Sequence, residues 1–262
     1  MKRPPTPLAA LRPRDRAAVL VAIGGVTALS WLYLVDMALA MERVPMAMMR
    51  MQAWTPRHFG MMLAMWVIMM VGMMLPSATP ATLVYAAVAR KARREGAPIA
   101  SAPSFVAGYL AVWALFSVAA TVAQWGLERA TLLSPMLVST SPVLGGALLV
   151  AAGGYQLTPF KDACLEHCRS PAHFFAAHWR PGALGALRMG AEHGAWCLGC
   201  CGVLMGLLFV GGVMNLLWIA AITLFVLVEK VMPWGVGGGR FAGWGMIGAG
   251  VVVLASAWAG AV

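Results

Sequence analysis

Seven apolar stretches, separated by short polar ones, dominate the chain. They cover 17–40, 59–75, 104–127, 143–157, 197–214, 216–232 and 241–261, and the second continues past Pro76 and Pro80 toward residue 88. A membrane-crossing helix needs about 20 apolar residues. Backbone polar groups in lipid must be paired within their own segment, so a helix is expected for each stretch. The expected fold is therefore an all-α polytopic membrane helix bundle of about seven transmembrane helices. No polar stretch is long enough to bury a separate core, which leaves one transmembrane domain, 17–262. It follows a basic tail, 1–16, and has one longer polar connection at 158–194.

Lys and Arg orient these spans. With the N-terminus in the cytoplasm, one side collects Lys2, Arg3, Arg12, Arg14, Arg16, Arg90, Lys91, Arg93, Arg94, Lys161, Arg169, Arg180, Arg188, Lys230 and Arg240. The other side holds only Arg43, Arg50, Arg57 and Arg129. Positive charge concentrates on cytoplasmic loops, so the N-terminus is expected inside and the C-terminus outside, with 158–194 as an inner-face connection. The first apolar run is too long for a signal-peptide core and has no clear cleavage site, so it reads as a retained span. Within the connection, the segment 173–180, HFFAAHWR, has the character of a helix lying along the membrane interface.

Composition agrees. Only 11% of residues are charged and 61% are hydrophobic, against about 25% charged in a soluble domain. The net charge of +10 sits in clusters beside apolar segments. It points to anionic lipid headgroups and a lipid bilayer partner, with no nucleic acid. Phosphate loops, HExxH and GxSxG are absent, and Gly235 and Gly237 to Gly239 read as a turn.

The candidate chemistry lies in sulfur and imidazole. All five cysteines fall in two strings, Cys164-Leu-Glu-His167-Cys168-Arg and His193-Gly-Ala-Trp-Cys197-Leu-Gly-Cys200-Cys201. On a helix, Cys164, His167 and Cys168 share a face. Cys197 and Cys200 have CxxC spacing, and the second string is expected at the mouth of the fifth span. Thiolates with imidazole select Cu(I), zinc or iron–sulfur centres. Buried Cys is also a small apolar residue, so packing is the competing account.

Methionine is the second signal. Eleven of the 20 Met lie between Met46 and Met74. Met46, Met48, Met49 and Met51 crowd the expected outer side, and His58 follows. Met61, Met65, Met69 and Met73 then recur every four residues. Thioethers suit Cu(I) and are poor for hard cations. This step resembles the MxxxM of Ctr-type copper uptake channels, in that one motif. Packing again competes. Asp36 and Glu229 are acids near the ends of spans, balanced between structural and functional roles.

The strings Y155QLTPFKDACLEHCR169 and C197LGCC201, the Met-rich second span and Glu229-Lys230 together resemble the bacterial predicted metal-binding integral membrane proteins of unknown function. The resemblance runs over about 54–233. It implies metal binding in a bacterial inner-membrane protein, with Cys164, Cys168, Cys197, Cys200 and Cys201 at the matching positions. The leading reading is copper(I) handling, in transport or homeostasis, by outer Met and inner Cys/His sites, with zinc or iron as alternative metals. The others are a metal-dependent membrane oxidoreductase or its accessory subunit, and a structural subunit of a larger complex with membrane-protein partner subunits.

Overall fold

A computed structural model describes residues 12–43, 54–96, 101–134, 137–232 and 235–259. The described residues are helical, apart from turns and one isolated bridge between Leu133 and Ser139. In order they are α1 (Pro13–Glu42), α2 (Pro56–Met74), a 3-10 turn (Pro76–Ala78), α3 (Thr79–Arg94), α4 (Ala102–Arg129), α5 (Pro142–Gln156), α6 (Pro159–Arg169), α7 (Pro171–His178), α8 (Gly182–Met205), the single turn α9 (Leu208–Gly211), α10 (Leu216–Val231) and α11 (Gly235–Ala259).

Several helices start at a proline that follows a hydroxyl-bearing cap. Thr55, Ser141 and Thr158 each accept a hydrogen bond from the backbone N–H three residues on, and Pro56, Pro142 and Pro159 come next. Proline costs nothing in the first helical turn, where its missing N–H has no partner to lose. The same chemistry divides the second apolar stretch. Pro76 and Pro80 end α2 and start α3 through the 3-10 turn, so the stretch is not one continuous helix.

Five helices are long and apolar enough to cross a membrane: Pro13–Met41, Pro56–Met74, Ala102–Arg129, Gly182–Gly211 and Gly235–Ala259. The pair α5 and α6, bent by 65° at its break, would make a sixth crossing. The shortfall from seven lies in α10. Its 16 residues span about 24 Å at the helical rise, against about 30 Å of bilayer hydrocarbon. Two further differences change the neighbourhood of the site. Helix α8 begins at Gly182, so the fifth apolar segment reaches back through His193 and the polar connection is correspondingly shorter. The Gly235 to Gly239 stretch lies inside α11 and is not a turn.

Close glycine packing joins the helices. A Cβ on Gly108 of α4 would collide with the Leu187 carbonyl of α8. A Cβ on Gly190 of α8 would collide with the Phe105 carbonyl and lie 3.0 Å from Tyr109 N. Only glycine permits this approach. In α5 and α11, Gly146 faces Gly250 and Gly153 faces Gly243 in the same way. By contrast, an added Cβ on Gly202 or Gly206 would first meet Leu198 or Val203 of its own segment. Helices α1 and α11 lie at the edge. Leu29, Leu32, Phe241, Val252 and Trp258 are all more than 60% exposed, an apolar surface that needs a non-aqueous cover.

Candidate metal centre

The α4–α8 contact sets the centre of the site. With Gly190 and Gly194 against Tyr109, the phenol reaches the next turn of α8, and its hydroxyl lies 3.0 Å from Cys197 Sγ. The same hydroxyl donates to the Met74 carbonyl at 3.1 Å, at the end of α2. From α10, Lys230 Nζ donates to Cys197 Sγ at 2.8 Å and to Ser77 Oγ at 3.1 Å. Cys197 is thus enclosed by α2, α4, α8 and α10, and it is buried. It lies deep within α8, not at the mouth of a span.

The other thiols gather around it. Cys201 Sγ lies 3.9 Å from Met74 Sδ. Cys200 and Cys201 both direct their thiols to the Cys197 carbonyl, at 3.1 and 3.0 Å. Helix α6 packs over α8 and brings the second string to the first. Cys168 Sγ is 3.8 Å from Cys200 Sγ. Cys164 packs on Gly199, where an added Cβ would be 2.7 Å from its sulfur. The Tyr155 hydroxyl donates to the Gly199 carbonyl beside it. Cys168 is the half-buried member, and the other four cysteines are buried. All five are free thiols.

A buried ion pair holds α6 in place. Lys161 pairs with Glu229 of α10, and Gln156 Nε2 donates to the same carboxylate at 2.9 Å. The Glu229 carbonyl accepts from Arg169 at 3.2 Å. Both ends of α6 are therefore tied to one residue of α10. Burying this pair is costly unless each group is satisfied, and the network does that for the Glu229 carboxylate.

The methionines of α2 continue the sulfur cluster. Met65, Met69, Met70, Met73 and Met74 are all buried and belong to the same core cluster as Cys164, Cys197, Cys200 and Cys201. Met61, at the start of the helix, is 43% exposed. The series thus runs from an accessible thioether to a sealed one beside Cys201. The crowd at Met46, Met48, Met49 and Met51 lies outside the described residues.

The histidines do not join the thiols as one ligand set. His167 stacks on Trp196, with ring centroids 4.1 Å apart and planes 7° apart, and its Nδ1 is 2.9 Å from the Ala163 carbonyl. His193 is buried among Phe105, Tyr109 and Phe174, and its Nδ1 has no hydrogen-bond partner. His58 lies at the far end of α2, edge-on to Trp54, and its Nδ1 also lacks a partner. His178 stacks on Phe174, while Phe174 and Phe175 are buried against Tyr85 and Phe105. Helix α7 is thereby packed onto the bundle through its two phenylalanines. Among the described residues, no three His, Cys, Asp or Glu side chains are already disposed about a common point as a metal site. The thiols meet in pairs, and closing them on an ion requires side-chain rotation.

Sequence reasoning missed Tyr109, Ser77, Lys161 and the Lys230 contact with Cys197. Lys161 carried a signal, since it lies three residues before Cys164, within the 155–169 stretch that carries the resemblance. Tyr109 carried none, because nothing near it in sequence points to sulfur, and Ser77, although it closely follows Met73 and Met74, carried no sign of meeting Lys230 beside Cys197.

A family model matches residues 63–253, described as PpoB2, a copper chaperone. The chain belongs to the PpoB2 copper chaperone family. The match takes in α3 to α10, the part of α2 from residue 63 onward and most of α11, and it includes every cysteine but neither His58 nor Met61. Membership makes copper the metal in question, whereas nothing in the match points to zinc or iron. It also gives a more definite family than the metal-binding membrane proteins that the cysteine strings resemble. No curated protein and no solved structure matches the chain.

Proposed function

We propose that this chain is an integral membrane copper-handling protein that accepts Cu(I) as cargo on a sulfur pathway. The ion enters along the thioethers of Met61, Met65, Met69 and Met73, passes at Met74 to Cys201, and is held by Cys168, Cys197 and Cys200. The observation that carries this reading is the 3.9 Å approach of Met74 sulfur to Cys201 sulfur, beside the Cys168–Cys200 pair at 3.8 Å. It joins neutral and ionisable soft donors in one buried cluster. Thioether and thiolate select a soft ion. Neutral thioethers bind more weakly than thiolates, so the ion can leave them for the cysteines.

Lys230 acts in the metal-free state. Its ammonium offers Cys197 sulfur a positive partner until an ion arrives. With α10 as a seventh crossing and the N-terminus in the cytoplasm, as the Lys and Arg distribution supports, the thiols lie toward the inner leaflet. The cytoplasm is reducing, so they persist there as thiols.

An oxidoreductase would need Glu192 or His193 beside an open coordination position. The Glu192 carboxylate is held by Arg180 at 2.9 Å and Arg188 at 3.4 Å, and His193 is enclosed by aromatic rings. Those contacts weigh toward cargo handling.

The test is copper analysis of protein purified without chelator and loaded with Cu(I) under anaerobic conditions. The Cys168→Ser/Cys200→Ser double variant should lose at least half of the bound copper, and Met65→Leu/Met69→Leu should slow loading without lowering the final content. Unchanged copper in a variant lacking Cys168, Cys197, Cys200 and Cys201 would remove the thiol site.

A further inference from the structure

A second feature lies away from the thiols, where the first turn of α1, the end of α3 and the start of α4 meet. A cavity of about 520 Å³ opens there, lined by Arg12, Arg90, Arg93 and Arg94 and by one acid, Asp15. We propose that it binds the headgroup of an anionic phospholipid.

The charge balance is the first argument. Asp15 is committed to Arg90 in an ion pair. Arg90 is also crowded by the like charges of Arg12 and Arg94. Four guanidinium groups thus share one carboxylate around a single space. The flanking sequence adds one acid, Glu95 beside Arg94, which is not among the residues lining the cavity, and residues 1–11 and 97–100 contain no Asp or Glu. Arginine recognises phosphate through paired N–H donors in a fixed fork, so a phosphate group entering here would meet several forks at once.

Position is the second argument, and it favours a lipid over a free phosphate. Both α1 and α4 begin their apolar runs at this level. Val19 lines the cavity, and on the next residues of α1, Leu20 and Val21 are 41% and 73% exposed. A headgroup in the cavity would therefore continue into acyl chains lying against apolar side chains. A basic pocket between helices at a membrane face is the setting in which anionic headgroups are recognised. The site uses none of the copper-binding residues, so it stands apart from the proposed function.

The test uses the full chain in a neutral maltoside detergent. It is titrated separately with phosphatidylglycerol, with phosphatidylcholine, and with inorganic phosphate at equal phosphorus. Thermal unfolding and retained lipid, counted by native mass spectrometry, are read together. Phosphatidylglycerol should raise the unfolding midpoint by about 3 °C or more and remain bound, while the other two do neither. Arg12→Gln/Arg93→Gln/Arg94→Gln should lose most of both effects. Asp15→Asn removes the competing carboxylate and should retain phosphatidylglycerol more strongly, a gain that misfolding cannot mimic. An equal response to phosphatidylcholine or to inorganic phosphate would overturn the proposal. So would unchanged retention in the arginine variant, or no gain in Asp15→Asn.

Discussion

Glu229 and Lys230 are adjacent in sequence but serve two different networks. Consecutive residues on a helix point in directions about 100° apart and do not share a face. Glu229 turns to Lys161 and Gln156, and Lys230 turns to Cys197 and Ser77. A pairing of the two with each other, natural from sequence, is therefore excluded by helix geometry. The Lys161–Glu229 pair is buried on both sides. Removing one member leaves an uncompensated buried charge, so Lys161→Met or Glu229→Leu alone should cost about 3–5 kcal/mol. The Lys161→Met/Glu229→Leu double variant should recover most of that loss. Denaturation in detergent measures both, and a double variant as unstable as the sum would mean the pair does more than neutralise itself.

At the scale of the element, two contacts on α8 decide the site. One is the glycine approach to α4. Gly190→Ala adds a Cβ against the Phe105 carbonyl and should cost upwards of about 1–3 kcal/mol, because backbone must move. Gly126→Ala, on α4 where nothing lies within 4 Å of an added Cβ, should change stability by about 0.5 kcal/mol or less. Comparison of their unfolding midpoints checks the pairing. The other contact is α6 over α8. Mild oxidation of the reduced protein should cross-link them through Cys168, because its sulfur meets that of Cys200. Non-reducing peptide mapping reads the link. Cys168→Ser should abolish it, and a dominant Cys164 cross-link instead would contradict the packing of α6.

At the scale of the whole molecule, the long apolar helices set how the chain could cross a bilayer. Five helices qualify outright, and the bent pair α5–α6 would give a sixth if it is one span. The charge bias adds direction. Reporter fusions should give a cytoplasmic signal at Gly96 and an outside signal at Thr131, the ends of successive connections. The reverse result at both would invert the protein and place the thiols toward the outer leaflet. The highly exposed apolar faces of α1 and α11 require lipid or a neighbouring chain as cover, in keeping with either arrangement.

The sequence by itself determined the helical class, most helix positions and the sulfur-rich character. These follow from apolar periodicity, from proline after hydroxyl caps and from composition, all of which act within a few residues of chain. It also determined that the five Cys fall in two short strings and that eleven of the 20 Met lie between Met46 and Met74, which is why a soft-metal character was legible. It did not reach the start of α8, because His193, Glu192 and Arg188 interrupt the apolar run that α4 buries by glycine packing. Nor could it assign partners. Cys197 beside Lys230 and Tyr109, Cys201 beside Met74, and His193 apart from the thiols all depend on how α2, α4, α6, α8 and α10 rotate against each other. Those rotations are set by side chains and glycine contacts far apart in the chain, and only the packed bundle fixes them.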